Sequence, residues 1–116
     1  MAITPKRIIP GSALTTSYAT YYTVPASVLT TTMKQLLLCN QDTVPRTVFL
    51  AIIPSGESTT PAASNIVLNS VSLQANETKI FGLTDVMPTG MFIRAKAGEA
   101  GGGNLVSITA SGMENT

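Results

Sequence analysis

Short runs of β-branched, aromatic and aliphatic residues, interrupted by Pro, Gly, Asn or Asp, follow one another along this chain of 116 residues. Runs at a spacing of about ten residues are typical of sandwiches and barrels built from short strands. No segment repeats apolar residues at the period of an amphipathic helix. We therefore predict an all-β fold, a single-domain antiparallel β-sandwich, jelly-roll-like, with about seven or eight strands. The predicted strands are Tyr18–Val24, Thr30–Cys39, Arg46–Ile53, Ile66–Leu68, Ser70–Leu73, Thr78–Leu83, Met91–Ala97 and Leu105–Ser111.

Two of these segments have a second interpretation. The continuous apolar run Arg46–Ile53 could be a buried helix by periodicity alone, but its shortness and β-branched content favour a central strand covered on both faces. Ile66–Leu68 could be a short strand or a single helical turn. Met91–Ala97 alternates cleanly, and with Leu105–Ser111 it predicts a terminal hairpin whose tip is the glycine-rich stretch 98–103.

The ends of the chain lack a clear strand pattern. We predict that residues 1–15 form an N-terminal arm that packs on the body or on a neighbour, that 16–112 form the sandwich, and that 113–116 are a polar tail. Ile8 and Ile9 are the candidate contact residues of the arm. If the arm reaches a neighbour, deletion of residues 1–10 should weaken assembly more than folding.

The residues needed for common catalytic chemistry are scarce. The chain has no histidine and a single cysteine, so it cannot build a Ser-His-Asp or Cys-His arrangement or a cysteine-rich zinc site. Cys39 follows an apolar run and is expected to be a buried, inert thiol. Five of the six acidic residues fall in apparent turns or loops and are expected to be solvated; Glu114 belongs to the predicted polar tail described above. We predict no catalytic, cofactor-binding or metal-binding residue, and therefore no enzyme.

Charge is also scarce. Charged residues make up 11% of the chain, less than half the usual ~25%, and the net charge is +1. Either the solvent faces are threonine-rich, as suits a pleated surface, or neighbouring subunits cover much of the surface. No basic stripe indicates nucleic-acid binding, no apolar run is long enough to span a membrane, and no signal peptide is recognised.

All three tyrosines lie within five positions, at Tyr18, Tyr21 and Tyr22. They could pack a strand, or they could form an interface or a glycan-contacting patch, because tyrosine is enriched at binding surfaces. Tyr21 and Tyr22 should face opposite sides of a regular strand. With Ile8 and Ile9, the three tyrosines are the candidate interface residues.

Several short phrases of the sequence form a distinctive series: MAITPKR at the start, YYTVPA at 21–26, LLLCN at 36–40, RTV at 46–48, IPSG at 53–56 and VSITASG at 106–112. This series resembles small virion structural proteins of tailed bacteriophages. The resemblance implies a β-sandwich subunit present in many copies in the virion, as a homotrimer or larger ring, and assembled in the bacterial host cytoplasm.

The resemblance also implies partners. These are further copies of the chain and other virion proteins, such as the major capsid, portal-region or tail proteins. A capsid decoration or cement role is slightly favoured over a collar, tail or baseplate role. The alternative is a receptor- or carbohydrate-binding module of a phage fibre or tail tip.

Overall fold

The computed structural model describes residues 2–98 and 105–116, so most of the glycine-rich hairpin tip and Glu99 lie outside the described residues. The described residues form two four-stranded antiparallel sheets and contain no α-helix. A 3₁₀ turn, Ala63–Asn65, precedes the fifth strand. The strands are β1 Ile3–Ala13, β2 Ala19–Thr23, β3 Thr30–Asn40, β4 Arg46–Ile53, β5 Ile66–Leu73, β6 Thr78–Pro88, β7 Phe92–Ala97 and β8 Val106–Asn115.

The strand order is β1-β8-β3-β6 in one sheet and β2-β7-β4-β5 in the other. Four antiparallel pairs are nested within one another: β1 with β8, β2 with β7, β3 with β6, and β4 with β5. Two further pairings, β8 with β3 and β7 with β4, join the nested pairs into sheets. This arrangement is that of an eight-stranded jelly roll. The predicted β-sandwich of jelly-roll type is therefore confirmed.

The core lies between the two sheets and is built by alternating side chains. Ile93 and Ala95 of β7 and Val106 and Ile108 of β8 are fully buried, as the alternation in these strands predicts. In β4, four consecutive residues, Leu50–Ile53, are all buried. Both faces of this half of β4 are therefore covered, as predicted for a central strand, whereas Phe49 in the first half is half-buried.

The structure differs from the predicted arm and tail. Ile3–Ala13 is strand β1, which pairs with β8 along its length, and β8 itself continues to Asn115. Ile8 and Ile9 are core residues with exposed fractions of 3% and 0%. Two register shifts along β1 break the alternation that marks a strand in sequence. Since β1 is an edge strand, it also tolerates two prolines, Pro5 and Pro10.

Two other strands are longer than predicted. Ile66–Leu68 and Ser70–Leu73 form one strand, β5, which is irregular at Ser70, where φ is +56°. Strand β6 runs on to Pro88. Both extensions come from pairing with a neighbouring strand, which side-chain pattern alone does not report.

Candidate functional site

The solvent side of the β1-β8-β3-β6 sheet is the main candidate interaction surface, and we call it the outer face. Its residues alternate along each strand with the core residues of the same strand. The cross-strand register aligns them in five rows, which are Ile3, Asn115, Thr30 and Pro88; Pro5, Met113, Thr32 and Val86; Ser111, Gln35 and Gly82; Thr109, Leu37 and Ile80; and Ala13, Ser107, Cys39 and Thr78.

None of the residues in these rows is charged. Three large apolar side chains among them are well exposed: Ile3 at 63%, Ile80 at 63% and Val86 at 56%. An exposed lysine, Lys34, lies beside the rows at the irregularity in the centre of β3. A surface of hydroxyl and apolar groups can be covered by a partner without the large cost of removing charges from water.

The other sheet presents a different surface. On its solvent side, Lys96 Nζ lies 5.0 Å from the centroid of the Tyr18 ring and 4.9 Å from that of Phe49. Arg94 donates hydrogen bonds to the carbonyl oxygens of Tyr18 and Thr59, at 2.7 and 2.6 Å. Thr59 belongs to the segment between β4 and β5, which therefore crosses this side of the sheet. This surface is thus charged and partly covered by the chain itself, whereas the five aligned rows of the outer face contain no charged residue.

The structure does not bring the five candidate interface residues together on one surface. Ile8, Ile9 and Tyr22 are buried in the core, so they cannot contact a partner without unfolding. Tyr21 is half-buried, occupies a bulge in β2 and donates its hydroxyl to the Ala13 carbonyl at 3.2 Å. Tyr18 is half-buried beside Lys96. The prediction that these residues form an interface patch is therefore corrected for the isoleucines and Tyr22.

A buried polar network occupies one end of the core. The Tyr22 hydroxyl donates to Glu114 Oε2 at 2.6 Å and lies 2.8 Å from Thr31 Oγ1. Lys6 Nζ forms an ion pair with the same Glu114 oxygen at 3.2 Å. Glu114 is only 9% exposed, so it is a strand residue of the interior and not the solvated tail residue that the sequence indicated.

The network shifts both titrating groups. Burial, reinforced by the hydrogen bond to Glu114, raises the pKa of Tyr22 from 10.0 to about 12. The hydrogen bond from Tyr22, assisted by Lys6, lowers the pKa of the Glu114 carboxyl below its usual 4.5. Both shifts favour an ionised Glu114 that accepts a hydrogen bond from a neutral Tyr22. The hydrogen bond between Tyr22 and Glu114 links β2 of one sheet to β8 of the other.

Asp42 is placed by a second local contact, in the turn between β3 and β4. Its Oδ2 accepts hydrogen bonds from Arg46 Nε and Nη2 at 2.9 and 2.6 Å. These two hydrogen bonds from the Arg46 guanidinium lower the pKa of the Asp42 carboxyl. Nearby, the buried Asn40 donates to the Val44 and Gln74 carbonyls, so these polar groups hold the turn in place.

The lone cysteine belongs to the outer face and not to the core. Cys39 is half-buried in β3, in register with Ser107 on one side and Thr78 on the other. The prediction of a buried thiol is therefore corrected, because Cys39 is half-buried. The reason is alternation: Leu38 and Asn40, its neighbours in the strand, take the inward positions.

Over residues 2–98 and 105–116, no group of three or more Asp, Glu, Cys or His side chains is placed to hold a metal ion, and no pocket is found. No helix in the described part of the chain has the length and apolar character needed to cross a membrane. No protein-family model, curated protein or solved structure matches the chain. A function is therefore inferred from the fold and the surface.

Proposed function

We propose that this chain is a non-enzymatic, multi-copy structural protein of a bacteriophage particle. It acts by assembling with copies of itself and by docking on other particle proteins, and a capsid decoration or cement role is favoured over a collar, tail or baseplate role. The observation that carries the proposal is the outer face, whose five aligned rows contain no charged residue and expose Ile3, Ile80 and Val86.

The fold is compatible with this role but does not assign it. Jelly rolls of this kind occur in viral capsid proteins and also in lectins and cupins. Because one fold supports many functions, assembly is inferred from the surface. The two sheets differ there, since the aligned rows of the outer face contain no charged residue and the opposite face carries Arg94 and Lys96.

The size of the outer face is compatible with a protein that acts in many copies. Four strands at a spacing of about 4.8 Å, each rising about 3.3 Å per residue, give a flat projected area of roughly 600 Å² for rows that span about ten residues. Stable pairwise interfaces bury about 800 Å² of accessible surface on each partner. The outer face is therefore about the size of one interface, and attachment becomes stronger where several copies bind at once.

The experiment places a charge in the middle of the outer face. Thr109 lies on the central strand β8 and is replaced by lysine, with Thr20→Lys on the opposite sheet as the matched control. Binding is measured by co-sedimentation with phage particles that lack this protein, and folding by thermal unfolding. We expect Thr109→Lys to weaken binding by at least about tenfold, while the control binds like the wild type.

Two outcomes would count against the proposal. The first is that wild-type protein fails to co-sediment with any such particle. The second is that Thr109→Lys and Thr20→Lys bind equally well while both remain folded. If binding is observed, a map of the intact particle with this chain located in it would identify which particle protein the chain touches.

The aromatic pair on the opposite sheet supports a second candidate, a receptor- or carbohydrate-binding module. Tyr18 and Phe49 flank Lys96, and all three side chains are half-buried at the surface. Tyrosine at such a site combines an apolar ring with a polar hydroxyl, which suits contact with a polar ligand. Binding on a glycan array that is lost with Tyr18→Ala would support this candidate, and absence of binding to any glycan or host surface would reject it.

A further inference from the structure

We infer that the outer face docks on a different protein whose surface presents carboxylate groups, and that two copies of this chain do not pair through it. The inference rests on the proposed function, because it names the partner chemistry of the same face. It is carried by two cations, Arg7 and Lys34, which lie between the uncharged rows in the middle of the sheet.

The two cations extend from register shifts at the same level of the sheet. Arg7 follows Lys6, which pairs with Gly112, and Lys34 follows Met33, which pairs with the same glycine. The two shifts therefore flank the central strand β8 from either side. Neighbouring strands lie about 4.8 Å apart, so the backbones of Arg7 and Lys34 are separated by about 10 Å. Such irregularities re-aim side chains and are common beside functional sites.

Both cations belong to the solvent side of the sheet. Lys6 reaches the buried polar network and Ile8 is 3% exposed, so Arg7 between them takes an outward position. Lys34 follows the fully buried Met33 and is likewise outward. Arg7 and Lys34 are exposed, and within residues 2–98 and 105–116 neither forms an ion pair. Their charges are therefore available to a partner.

No acidic residue in the described part of the chain balances these cations on the outer face. Of the six acidic residues, Glu99 lies outside the described residues. Asp85 and Glu114 belong to strands of this sheet but occupy inward positions. The remaining three lie outside the strands, and they are Asp42, Glu57 and Glu77. The outer face is therefore positive at its centre, although its rows are uncharged.

This charge distribution selects the partner. Covering Arg7 and Lys34 removes them from water, which is costly unless each meets an opposite charge. The outer face of a second copy brings two further cations, so that pairing sets like charges against each other. A surface with carboxylates about 10 Å apart satisfies both cations. A third cation, as in Thr109→Lys, stays without a partner, in keeping with the loss of binding expected above.

Phosphate is the other anion that two cations could bind, and the surroundings argue against it. Nucleic-acid sites place many cations along the track of the phosphate backbone. Here the two cations lie among hydroxyl and apolar side chains, including the exposed Ile80 and Val86. Such a mixture of apolar area and a few charges is typical of protein–protein interfaces. The partner is therefore assigned as a protein.

Charge reversal provides a defined probe of the partner chemistry. The double variant Arg7→Glu with Lys34→Glu presents two carboxylates on a sheet of the same shape. Self-association of each protein, and association in an equimolar mixture, are measured by sedimentation equilibrium. We expect the mixture to associate at least about tenfold more tightly than either protein alone. Ser72→Glu, which adds a carboxylate to the exposed side of β5, should give no such gain. A mixture that associates no more tightly than the separate proteins would overturn the inference.

Neutralisation tests the same charges on phage particles that lack this protein. Arg7→Gln and Lys34→Gln each lower the net charge by one, as Ser72→Glu does. We expect each Gln variant to bind about three- to tenfold more weakly at an unchanged melting temperature, and Ser72→Glu to bind like the wild type. Equal or tighter binding by both Gln variants would refute the inference. Binding of a duplex DNA fragment by the wild type and by neither Gln variant would also refute it, because the partner would then be a nucleic acid.

The two proposals fail separately. If the wild type and both Gln variants bind particles equally well, the carboxylate partner is wrong and the structural role stands. If the wild type associates with the charge-reversed variant but never binds a particle, the chemistry of the outer face stands and the proposed function is wrong.

Discussion

The hydroxyl of Tyr22 donates a 2.6 Å hydrogen bond to the carboxylate of Glu114, 92 positions further along the chain. Tyr22 lies on β2 and Glu114 on β8, so this bond spans the two sheets. Both groups are buried among apolar residues. Polar groups in such a position stabilise the fold only while each retains its partner, because an unpartnered buried group bears its full desolvation cost.

Removal of the Tyr22 hydroxyl should therefore destabilise the protein clearly. We expect Tyr22→Phe to lower the free energy of unfolding by about 1–3 kcal/mol, measured by denaturant titration at neutral pH. Tyr21→Phe is the control, since its hydroxyl makes an exposed 3.2 Å bond to Ala13 and should cost less than about 0.5 kcal/mol. Equal losses in the two variants would show that the network is not a stabilising feature.

The lowered pKa of Glu114 predicts a loss of stability in acid. The folded state holds this carboxyl ionised below its ordinary pKa of 4.5, so its contribution is present above that pH. As the pH falls from 4.5 through the lowered pKa, the folded protein must bind a proton that the unfolded chain already holds, and stability declines. Glu114→Gln should show a shallower decline over this window, with the remainder due to other carboxyls such as Asp42. Identical pH profiles for the variant and the wild type would contradict this assignment.

The raised pKa of Tyr22 predicts a loss of stability in alkali. The folded state keeps the phenol protonated to about pH 12, whereas the unfolded chain releases the proton near its ordinary value of 10.0. The contribution of Tyr22 is complete below pH 10 and is lost as the pH rises towards 12. Denaturant titrations from pH 9 to 12 should show a shallower decline for Tyr22→Phe than for the wild type, and parallel curves would be the contrary result.

Gly112 should be intolerant of any side chain. It lies in β8 opposite the irregularity of β3, where an added Cβ would collide with the Thr32 carbonyl oxygen. We expect Gly112→Ala to destabilise the fold by about 1–3 kcal/mol or more, because the Thr32 carbonyl that the methyl group meets is part of the backbone and cannot rotate away. Gly82→Ala provides the control, with no atom within 4 Å of the new methyl group, and should be neutral or slightly stabilising. Similar melting temperatures for both variants would be evidence against this close strand approach.

Strand β1 should behave as part of the core and not as a dispensable arm. Ile9 is fully buried and Ile3 is 63% exposed, although both belong to β1. We expect Ile9→Ala to cost about 2–5 kcal/mol and Ile3→Ala less than about 0.5 kcal/mol in unfolding free energy. Deletion of residues 1–10 should then abolish folding itself, contrary to the expectation for an arm. A deletion variant that retains the wild-type melting temperature would restore the arm hypothesis.

Alternation and turn residues were sufficient to predict most of the sandwich. They located β3, β4, β7 and β8 to within a few residues, because each has a clear inward set such as Val106, Ile108 and Ala110. They missed β1, where two register shifts and two prolines disturb the pattern. An edge strand with bulges is held by its neighbour, and that pairing is not encoded in local periodicity.

The surface was harder to predict than the fold. Scarcity of charge indicated that some face could be covered, but which face depended on the strand order that collects Thr32, Leu37 and Thr109 on one sheet. Glu114 was placed in a solvated tail because nothing in its neighbourhood signals the hydroxyl and the ammonium that reach it from β2 and β1. Contacts between distant strands decide both features, and such contacts are not visible in short windows of sequence.

The pairing of β1 with β8 also sets the order in which the protein can mature. Ile3 is matched with Asn115, so β1 can pair only after β8 has been synthesised. Until then Ile8 and Ile9 have no sheet to cover them, and β3 lacks its neighbour β8 on one side. The jelly roll can therefore close only after β8 has been made, and such long-range closure is slow. Until that closure, the strands that supply the core side chains are open to contact with other molecules in the cell.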